Sequence, residues 1–435
     1  MVKLEDVSSL LQAPAPEQKV PVRTDSTYKP LHSFALDKQR SYKQQYGDMY
    51  FLRLAKIKPA VEEVASKAWD GTEIGGELAK RVDRVLDVRQ GELCWVAGTV
   101  YMDMRLKPNI LEDVSKDRWL SAPISSQKYY SDDGSDQIML EDDSGRVRLV
   151  GELLNSIPLV TGCIIAVMGT ENTNGEFEVI DLKVPDLAPQ PERWALSKAP
   201  SAKSKSEDTD MTDSPSPNGG KKVAIVSGLS FSGTDASAYN PLPSQLFDEF
   251  VAELLPSIPV TLLPGARDPA NASYPQQPIH TAMFPLSRAY ASDPGAASTS
   301  QPGWFDTVTN PWEAEIEGWR ILGTGGQNVD DVFKYVESDD RLGMMEAMCR
   351  WRCCAPTAPD TLWSYPFQED DPFVLKSCPH VYFVGCQPEF ATKVIHGPDG
   401  QSVRLIAVPS FSKTKEFVLV DTETLEVTKI KITSR

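Results

Sequence analysis

The sequence predicts an α+β protein of more than one domain, in which a small β-barrel precedes an α/β domain. The chain has 435 residues, whereas single hydrophobic cores stop growing at about 250–300 residues. Short strand-like segments joined by hairpin loops follow one another between residues 94 and 184. From residue 222 onward, strand-like and helix-like segments alternate, which is typical of a layered α/β domain.

Composition favours protein partners over nucleic acid and membranes. The formal net charge is −17, so the surface as a whole repels phosphate backbones, and we expect little direct DNA binding. The longest apolar run, Cys163–Met168, is far shorter than the roughly 20 residues that span a bilayer. Seven cysteines without a visible secretory leader indicate reduced thiols in the cytosol or nucleus. We therefore expect a soluble intracellular protein with no membrane association.

Two segments precede the predicted barrel. Residues 1–32 are rich in Pro, Ser and Gln, and we expect a flexible N-terminus there. Residues 33–90 form a predicted helical segment, because apolar side chains recur at spacings of three and four between Tyr46 and Val64. Pro59 interrupts this pattern, so the segment contains either two helices or one kinked helix.

Residues 91–195 predict a barrel of the OB type. The pattern gives one strand followed by two hairpins, at residues 94–102, 137–141, 146–152, 162–169 and 177–184. Gly98 lies within the first strand, where a bulge or sharp bend fits. Five short strands in this order suit an OB barrel, and another small barrel or a sandwich is the alternative.

A linker and an α/β domain complete the chain. Residues 196–221 are dominated by Ser, Lys, Asp, Pro and Gly, which predicts a disordered interdomain linker. Residues 222–435 form the predicted α/β domain, and it begins with a strand, a helix and a strand that suggest a parallel βαβ unit. Later elements are expected at residues 319–322, 339–352, 381–384, 403–408 and 416–421.

Three loops of this domain form the candidate site, because ligands of parallel α/β domains bind beyond the carboxyl ends of the strands. The loops contain the residues Ser227, Gly228, Leu229, Gly265, Arg267, Asp268, Gly385, Cys386 and Gln387. Their glycines allow tight turns. This layout is that of a binuclear metallophosphoesterase, which holds two cations with several Asp, His and Asn ligands.

The three loops do not supply those ligands. Arg267 stands where a ligand histidine is expected, and Cys386 and Gln387 replace imidazoles in the last loop. Asp268 is the one carboxylate in these loops, and the whole chain has four histidines. We therefore expect an inactivated phosphoesterase domain with no catalytic residue, no metal and no cofactor.

Two further groups of residues give weaker signals. Cys349, Cys353 and Cys354 lie at the end of a predicted helix, but they lack the CxxC-like spacing and fourth ligand of a zinc site. Buried structural thiols are the favoured interpretation. Trp95, Tyr101 and Phe177 are candidate platforms for single-stranded nucleic acid, but acidic side chains on the same loops oppose the phosphate backbone. Core packing or protein docking is favoured for these aromatic residues.

Several longer motifs carry a family resemblance that covers the chain from about residue 28 to the C-terminus. The motifs are Arg40–Tyr46, Leu140–Arg146, Val226–Leu229, Pro264–Pro269, Pro275–Pro278, Leu322–Val329, Pro356–Leu362 and Cys378–Phe383. Together they resemble the B-subunits of the replicative DNA polymerases. The small subunits of DNA polymerase delta of the fungal type are the most similar branch of that family.

The resemblance implies a fold and a role. The fold is an OB domain packed on an inactivated calcineurin-like phosphoesterase domain. The role is that of a nuclear, non-catalytic accessory subunit in DNA replication and repair. The implied partners are the C-terminal cysteine-rich domain of the polymerase delta catalytic subunit and the third, clamp-contacting subunit, and in fungi also the catalytic subunit of the translesion polymerase zeta.

Other functional hypotheses remain open at this point. A B-subunit of polymerase alpha or epsilon is the nearest alternative. An active metallophosphoesterase and a single-strand DNA-binding OB protein are less favoured, for the reasons given above. These alternatives differ from the leading hypothesis in the catalytic subunit bound, in hydrolysis of phosphodiesters and in binding of single-stranded DNA, respectively.

The chain departs from the family pattern at one place. Between the strand at Val223–Val226 and the Pro264-Gly265 loop, the family has several tens more residues, including a strand that ends in a Gly-Asn loop. We therefore expect one strand-helix unit to be missing from the phosphoesterase-like domain. Such a loss exposes sheet edges and apolar surface, which predicts a stability below the family norm.

Overall fold

The computed structural model describes residues 27–37, 40–41, 46–108, 128–199, 221–230, 241–291 and 304–433. Most of the predicted flexible N-terminus and most of the predicted linker lie outside these residues. The described residues fall into two units, of which the larger comprises residues 27–230, 263–280 and 307 onward. In the part of the chain described, no helix is long and apolar enough to cross a bilayer.

A single helix precedes the barrel. Helix α1, Gly47–Trp69, continues through Pro59, so the segment forms one helix and not two. The predicted spacing is confirmed by its buried face, which packs on the barrel through Leu54, Ile57, Val61 and Ala65.

The rest of the segment predicted to be helical contains short strands, namely β2 (Glu73–Ile74), β3 (Glu77–Leu78) and β4 (Lys80–Arg81). Gly75 and Gly76 turn the chain between β2 and β3 at φ values of 63° and 90°. This left-handed conformation favours glycine and ends any helix. The two-residue strands are too short to produce an alternating pattern, so no local signal marks them.

Five strands form a closed barrel, β5 (Cys94–Asp103), β6 (Gln137–Glu141), β7 (Arg146–Val150), β8 (Ile164–Glu171) and β9 (Glu176–Lys183). Their order is β5-β6-β7-β9-β8, and β8 pairs back onto β5. Only the β7–β9 pair within this barrel is parallel. Gly98 lies where β5 changes partner from β8 to β6. The five predicted strands and the OB topology are therefore confirmed.

Two sheets form the framework of the C-terminal domain. The six-stranded sheet has the order β1-β13-β14-β15-β17-β16, with β1 Tyr28–Pro30, β13 Trp312–Ile316, β14 Trp319–Thr324, β15 Val381–Gln387, β17 Ser402–Pro409 and β16 Ala391–His396. The three-stranded sheet has the order β10-β18-β19, with β10 Lys222–Ile225, β18 Glu416–Asp421 and β19 Val427–Lys431. Strand β1 lies within the segment that the sequence assigns to a flexible N-terminus.

The six-stranded sheet has apolar layers on both faces. Helices α3 (Gln327–Tyr335) and α4 (Arg341–Arg350) cover one face, and the three-stranded sheet covers the other. Successive residues of β15 alternate between the two layers, so Tyr382 faces the helices and Phe383 faces β18. A short helix α5, Phe411–Thr414, follows β17. The predicted α/β layering is confirmed, with helices on one face only.

The predicted parallel βαβ unit at the start of this domain is wrong. Strand β10 pairs antiparallel with β18. Alternation of strand and helix was the only evidence for parallel pairing, and the same alternation arises when consecutive strands join different sheets. Strand β11, Val260–Leu262, pairs instead with β12, Phe305–Thr307.

The smaller unit contains helix α2, Leu242–Leu254, and the segment 281–291. Asp248 of α2 is buried, and its carboxylate accepts hydrogen bonds from the backbone N–H groups of Leu286 and Ser287 at 2.8 and 2.9 Å. Phe284 contacts Phe247 edge-on, with 5.7 Å between the ring centroids. These contacts fix one side of α2.

A buried ion pair joins the barrel, helix α1 and the C-terminal domain. Arg53 of α1 is fully buried, and its Nε donates to Asp371 Oδ2 at 2.7 Å. Its Nη1 donates to the carbonyl oxygen of Pro356 at 2.6 Å. Gly162 of the barrel lies against both partners, since a Cβ there would be 2.1 Å from the Pro356 oxygen and 2.9 Å from Arg53 Nη1. Three parts of the fold therefore meet at one guanidinium group.

Further contacts extend this junction. Arg352 donates to the carbonyl oxygens of Pro185, Asp186 and Leu187, just beyond β9, at 2.8 to 3.1 Å. Lys107, which follows β5, donates to Asp360 at 2.8 Å. One hydrophobic cluster includes barrel residues and residues of the C-terminal domain. The barrel and the six-stranded sheet therefore share a core.

We expect Arg53→Met to lower the free energy of unfolding by about 3–5 kcal/mol, because the Asp371 carboxylate then stays buried without its partner. Urea unfolding of the full chain would measure this change. Lys67→Met on the same helix is the matched control, since Lys67 pairs with Glu63 on the exposed face. The control variant should unfold like the unmodified chain. Equal effects of the two substitutions would contradict the role assigned to the buried pair.

Candidate functional site

The three loops predicted from the sequence lie together in the larger unit. The backbone N–H of Cys386 donates to Ser227 Oγ at 2.6 Å. A Cβ on Gly385 would lie 2.5 Å from the same oxygen. The second loop joins the group at the Gly325-Gly326 turn, since a Cβ on Gly325 would lie 3.1 Å from the Pro264 carbonyl oxygen and one on Gly326 would lie 2.5 Å from the Gly385 carbonyl oxygen. The fold therefore brings the ends of these loops to one place.

The first loop is bound to the beginning of helix α5. The Ser227 carbonyl accepts from the N–H of Phe411 at 2.7 Å, and the Gly228 carbonyl accepts from the N–H of Ser412 at 3.1 Å. Gly228 has a φ of 64°, and a Cβ there would lie 2.4 Å from Ser410 Oγ. Leu229 follows as a half-buried residue. Glycine at position 228 is required both by the backbone conformation and by this close approach.

Three amide side chains form a network between the loops. Asn310 Nδ2 donates to Gln276 Oε1 at 2.9 Å and to Gln327 Oε1 at 3.0 Å. Gln327 Nε2 donates to Gln276 Oε1 at 2.7 Å. Asn310 Oδ1 accepts from the backbone N–H of Gly325 at 2.9 Å. Neutral amides thus bridge the loops by hydrogen bonds, and Asn310 and Gln276 are themselves buried.

The charged side chains of the loops are engaged or directed to solvent. Asp268 Oδ2 accepts from the backbone N–H of Gly265 at 2.7 Å, and Arg267 is exposed. Asp330, near the third loop, is paired with Arg341 at 2.9 Å. Among the residues described, no three His, Cys, Asp or Glu side chains are close enough together to hold a metal ion.

The third loop carries three of the predicted site residues, Gly385, Cys386 and Gln387. Gln387 is buried, and its Nε2 donates to the carbonyl of Gly385 at 3.0 Å. Cys386 is exposed as a residue, but desolvation of its sulfur by the surrounding loops raises the pKa of the thiol above its ordinary value. This shift favours the thiol over the thiolate, which is the form that acts as a nucleophile or metal ligand.

Sequence reasoning missed the amide network. The motifs that contain Gln276 and Gln327 contribute to the family resemblance, but the sequence alone assigns no role to these two side chains. Asn310 belongs to neither motif. The available signal was a polar amide directly after a turn, as in Gly325-Gly326-Gln327, where Gly326 has a φ of 112°. Contact between amides that are 34 and 17 residues apart requires the tertiary fold.

The cysteine cluster has the predicted structural character. Cys349, Cys353 and Cys354 are buried, and they line the core below the helices of the six-stranded sheet. Burial raises the pKa of the Cys353 thiol to about 11. These thiols are neutral core groups, which confirms the interpretation favoured from their spacing.

The aromatic residues considered for nucleic-acid stacking divide into two groups. Trp95 and Phe177 are fully buried, and Trp95 contacts Trp69 of α1 with 5.9 Å between ring centroids. Tyr101 remains partly exposed, with Lys107 Nζ 4.2 Å and the Arg146 guanidinium carbon 4.5 Å from its ring centroid. Two of the three rings are thus core residues, in agreement with the favoured interpretation.

Comparison with known proteins gives the family. A model of the DNA polymerase delta subunit OB-fold domain matches residues 45–182. A model of the DNA polymerase alpha/epsilon B-subunit matches residues 209–392. The DNA polymerase delta small subunit of Saccharomyces cerevisiae is 34% identical, over 96% of this chain and 95% of that protein. The chain belongs to the family of DNA polymerase delta small subunits.

Other members of the small-subunit family support the same assignment. The DNA polymerase delta small subunit of Arabidopsis thaliana is 32% identical over 94% of this chain and 96% of its own length. DNA polymerase delta subunit 2 of Drosophila melanogaster is 32% identical over 93% of this chain and 97% of its own length. The family resemblance inferred from the sequence motifs is therefore confirmed.

Proposed function

We propose that this chain is a non-catalytic accessory subunit of nuclear DNA polymerase delta. It bridges the C-terminal cysteine-rich domain of the catalytic subunit and the third subunit, and in fungi it also serves the polymerase zeta catalytic subunit. The observation that carries the proposal is the similarity to a polymerase delta small subunit over 96% of this chain and 95% of the relative. The shared core supports a bridging role, because it keeps barrel and C-terminal domain together as one platform.

Exposed aromatic side chains on both parts of this platform suggest where a partner binds. Phe51 of α1 and Trp363 of the C-terminal domain are each 56% exposed. Large aromatic side chains are enriched among the residues that dominate protein interfaces. We include Phe51 and Trp363 in the proposed surface for the catalytic subunit.

The decisive experiment is co-purification of the full chain with a tagged C-terminal domain from each catalytic subunit, delta, alpha or epsilon. We expect retention by the delta domain, and formation of a ternary complex when the third subunit is added. Phe51→Ser with Trp363→Ser should weaken binding by at least about thirtyfold, since buried aromatic anchors each contribute more than about 1 kcal/mol and about 1.4 kcal/mol corresponds to a factor of ten.

Ile432→Ser is the control for that experiment, because Ile432 is similarly exposed, at 53%, on another part of the chain. The C-terminal domains of the alpha and epsilon catalytic subunits are tested as well, because residues 209–392 match the model of the alpha/epsilon B-subunit. Retention by the alpha or epsilon domain, but not by the delta domain, would replace the proposal with that alternative.

We further propose that the C-terminal domain is a phosphoesterase-like domain that has lost its metal site. The support is chemical. The neutral amides of Gln276, Asn310 and Gln327 join the loops, and the Asp268 carboxylate accepts a hydrogen bond from the backbone of its own turn. Amides bound to one another offer no set of anionic ligands for two cations. The glycine-rich loops would then be retained as structural connections.

The purified chain should not hydrolyse a generic phosphodiester when manganese is added. A two-metal mechanism needs cations to activate water, and the loops do not hold them. Release of nitrophenol from bis-nitrophenyl phosphate measures the activity, with an active metallophosphoesterase assayed in parallel. Turnover that co-elutes with the chain and is abolished by a chelator would overturn this part of the proposal.

We also propose that one strand-helix unit of the family is missing between β10 and residue 264. The alignment with the yeast relative extends over 489 positions, more than the 435 residues of this chain. Within the described residues β10 pairs only with β18, and Val226 after it is 42% exposed. An uncovered edge of this kind is where a further strand would pair.

Inserting the family segment between β10 and α2 should raise the melting temperature. The added strand would satisfy backbone groups at the open edge and cover apolar surface, as in any sheet extended by one strand. Thermal melting followed by circular dichroism compares the two chains. A flexible Gly-Ser insertion of equal length is the control, and equal melting temperatures for all three chains would count against a missing unit.

A further inference from the structure

Helix α2 has an exposed apolar stripe that no part of the proposed function uses. Leu242, Leu246 and Phe250 are 50%, 44% and 42% exposed. A spacing of four places them in one row along the helix. The other side of α2 is fixed by buried Val251 and by Asp248, which accepts the two backbone hydrogen bonds described above. The stripe is therefore a separate face of a helix that already has a packed side.

An acidic border runs beside the stripe. Glu249 and Glu253 are exposed and again four residues apart, and Gln245 continues their row. Helix α2 contains no lysine or arginine. Glu253 lies in the last turn, where the helix dipole adds negative potential. The apolar row therefore borders a row of negative charge that no lysine or arginine of the same helix neutralises.

We propose that α2 binds an amphipathic helix of a partner protein, whose apolar stripe is bordered by lysine or arginine. Packing of two helices would bury Leu246 and Phe250, and the basic border would pair with Glu249 and Glu253. A second copy of this chain fits less well, because both copies would bring acidic rows to the interface. The 13-residue helix is about 20 Å long, enough for three to four turns of a partner helix.

This inference does not depend on which polymerase the subunit serves. A display library tests it directly, with peptides of about 16 residues that share one leucine stripe. The positions beside the stripe are randomised among Lys, Arg, Gln, Asp and Glu. Selection on the purified full chain is combined with counter-selection on the Leu246→Ser/Phe250→Ser variant. Ile180→Ser on the barrel is the control, since Ile180 is 45% exposed.

We expect the selected peptides to be basic and to bind the unmodified chain and the Ile180→Ser variant alike. Their binding to the Leu246→Ser/Phe250→Ser variant should be about tenfold weaker. Glu249→Lys with Glu253→Lys should reverse the charge preference while the melting temperature shows that the fold is kept. Failure to select any peptide that distinguishes the unmodified chain from the stripe variant would overturn the proposal.

Two other results would also contradict it. Selected peptides with no charge preference would show that the acidic border has no part in recognition. A dimer in analytical ultracentrifugation that dissociates in the Leu246→Ser/Phe250→Ser variant would assign the stripe to a second copy of the chain instead.

Discussion

The buried guanidinium of Arg53 sets a condition that much of the larger unit must satisfy. A charge removed from water is tolerated only when its partners are in place, and Arg53 has one ionic partner and one carbonyl partner, Asp371 and Pro356. Both belong to the C-terminal domain, whereas Arg53 belongs to the helix that packs on the barrel. Gly162 lets the barrel backbone approach the same point. Helix, barrel and C-terminal domain must therefore assemble together, and the interaction specifies their relative placement.

In the strand-end loops, neutral side chains serve as the required partners of buried polar groups. Buried polar atoms need hydrogen-bond partners, and the amides of Gln276, Asn310 and Gln327 provide them for one another and for the Gly325 backbone. Metal ligands in such a place would repel one another without their cations. Neutral amides do not repel one another, so the loops keep their positions with or without bound cations. The geometry of the loops can thus persist in a subunit that acts only by binding.

The sequence predicted those parts of the fold that have a local period. The barrel strands alternate, and the buried face of α1 has a helical spacing, so both were found at nearly their observed bounds. Strand β1 was missed because three residues are too few to show an alternating pattern. Its pairing partners, Glu315 and the neighbouring residues of β13, lie 280 or more residues later in the chain. The candidate loops were located because glycines follow strands. The amide network, the antiparallel partner of β10 and the Arg53 pair depend on tertiary contacts that no local pattern encodes.

The distribution of charge bears on which partners an accessory subunit can select. With a formal net charge of −17, we expect the chain to repel nucleic acid at long range and to attract basic protein segments. The polar contacts of Arg53 and Arg352 lie inside the junction, where they hold the platform together and do not steer partners. Steering is left to exposed acidic rows such as Glu249 and Glu253. Since such rows adjoin exposed apolar side chains, long-range attraction and short-range packing favour the same class of partner, and electrostatic complementarity of this kind contributes specificity.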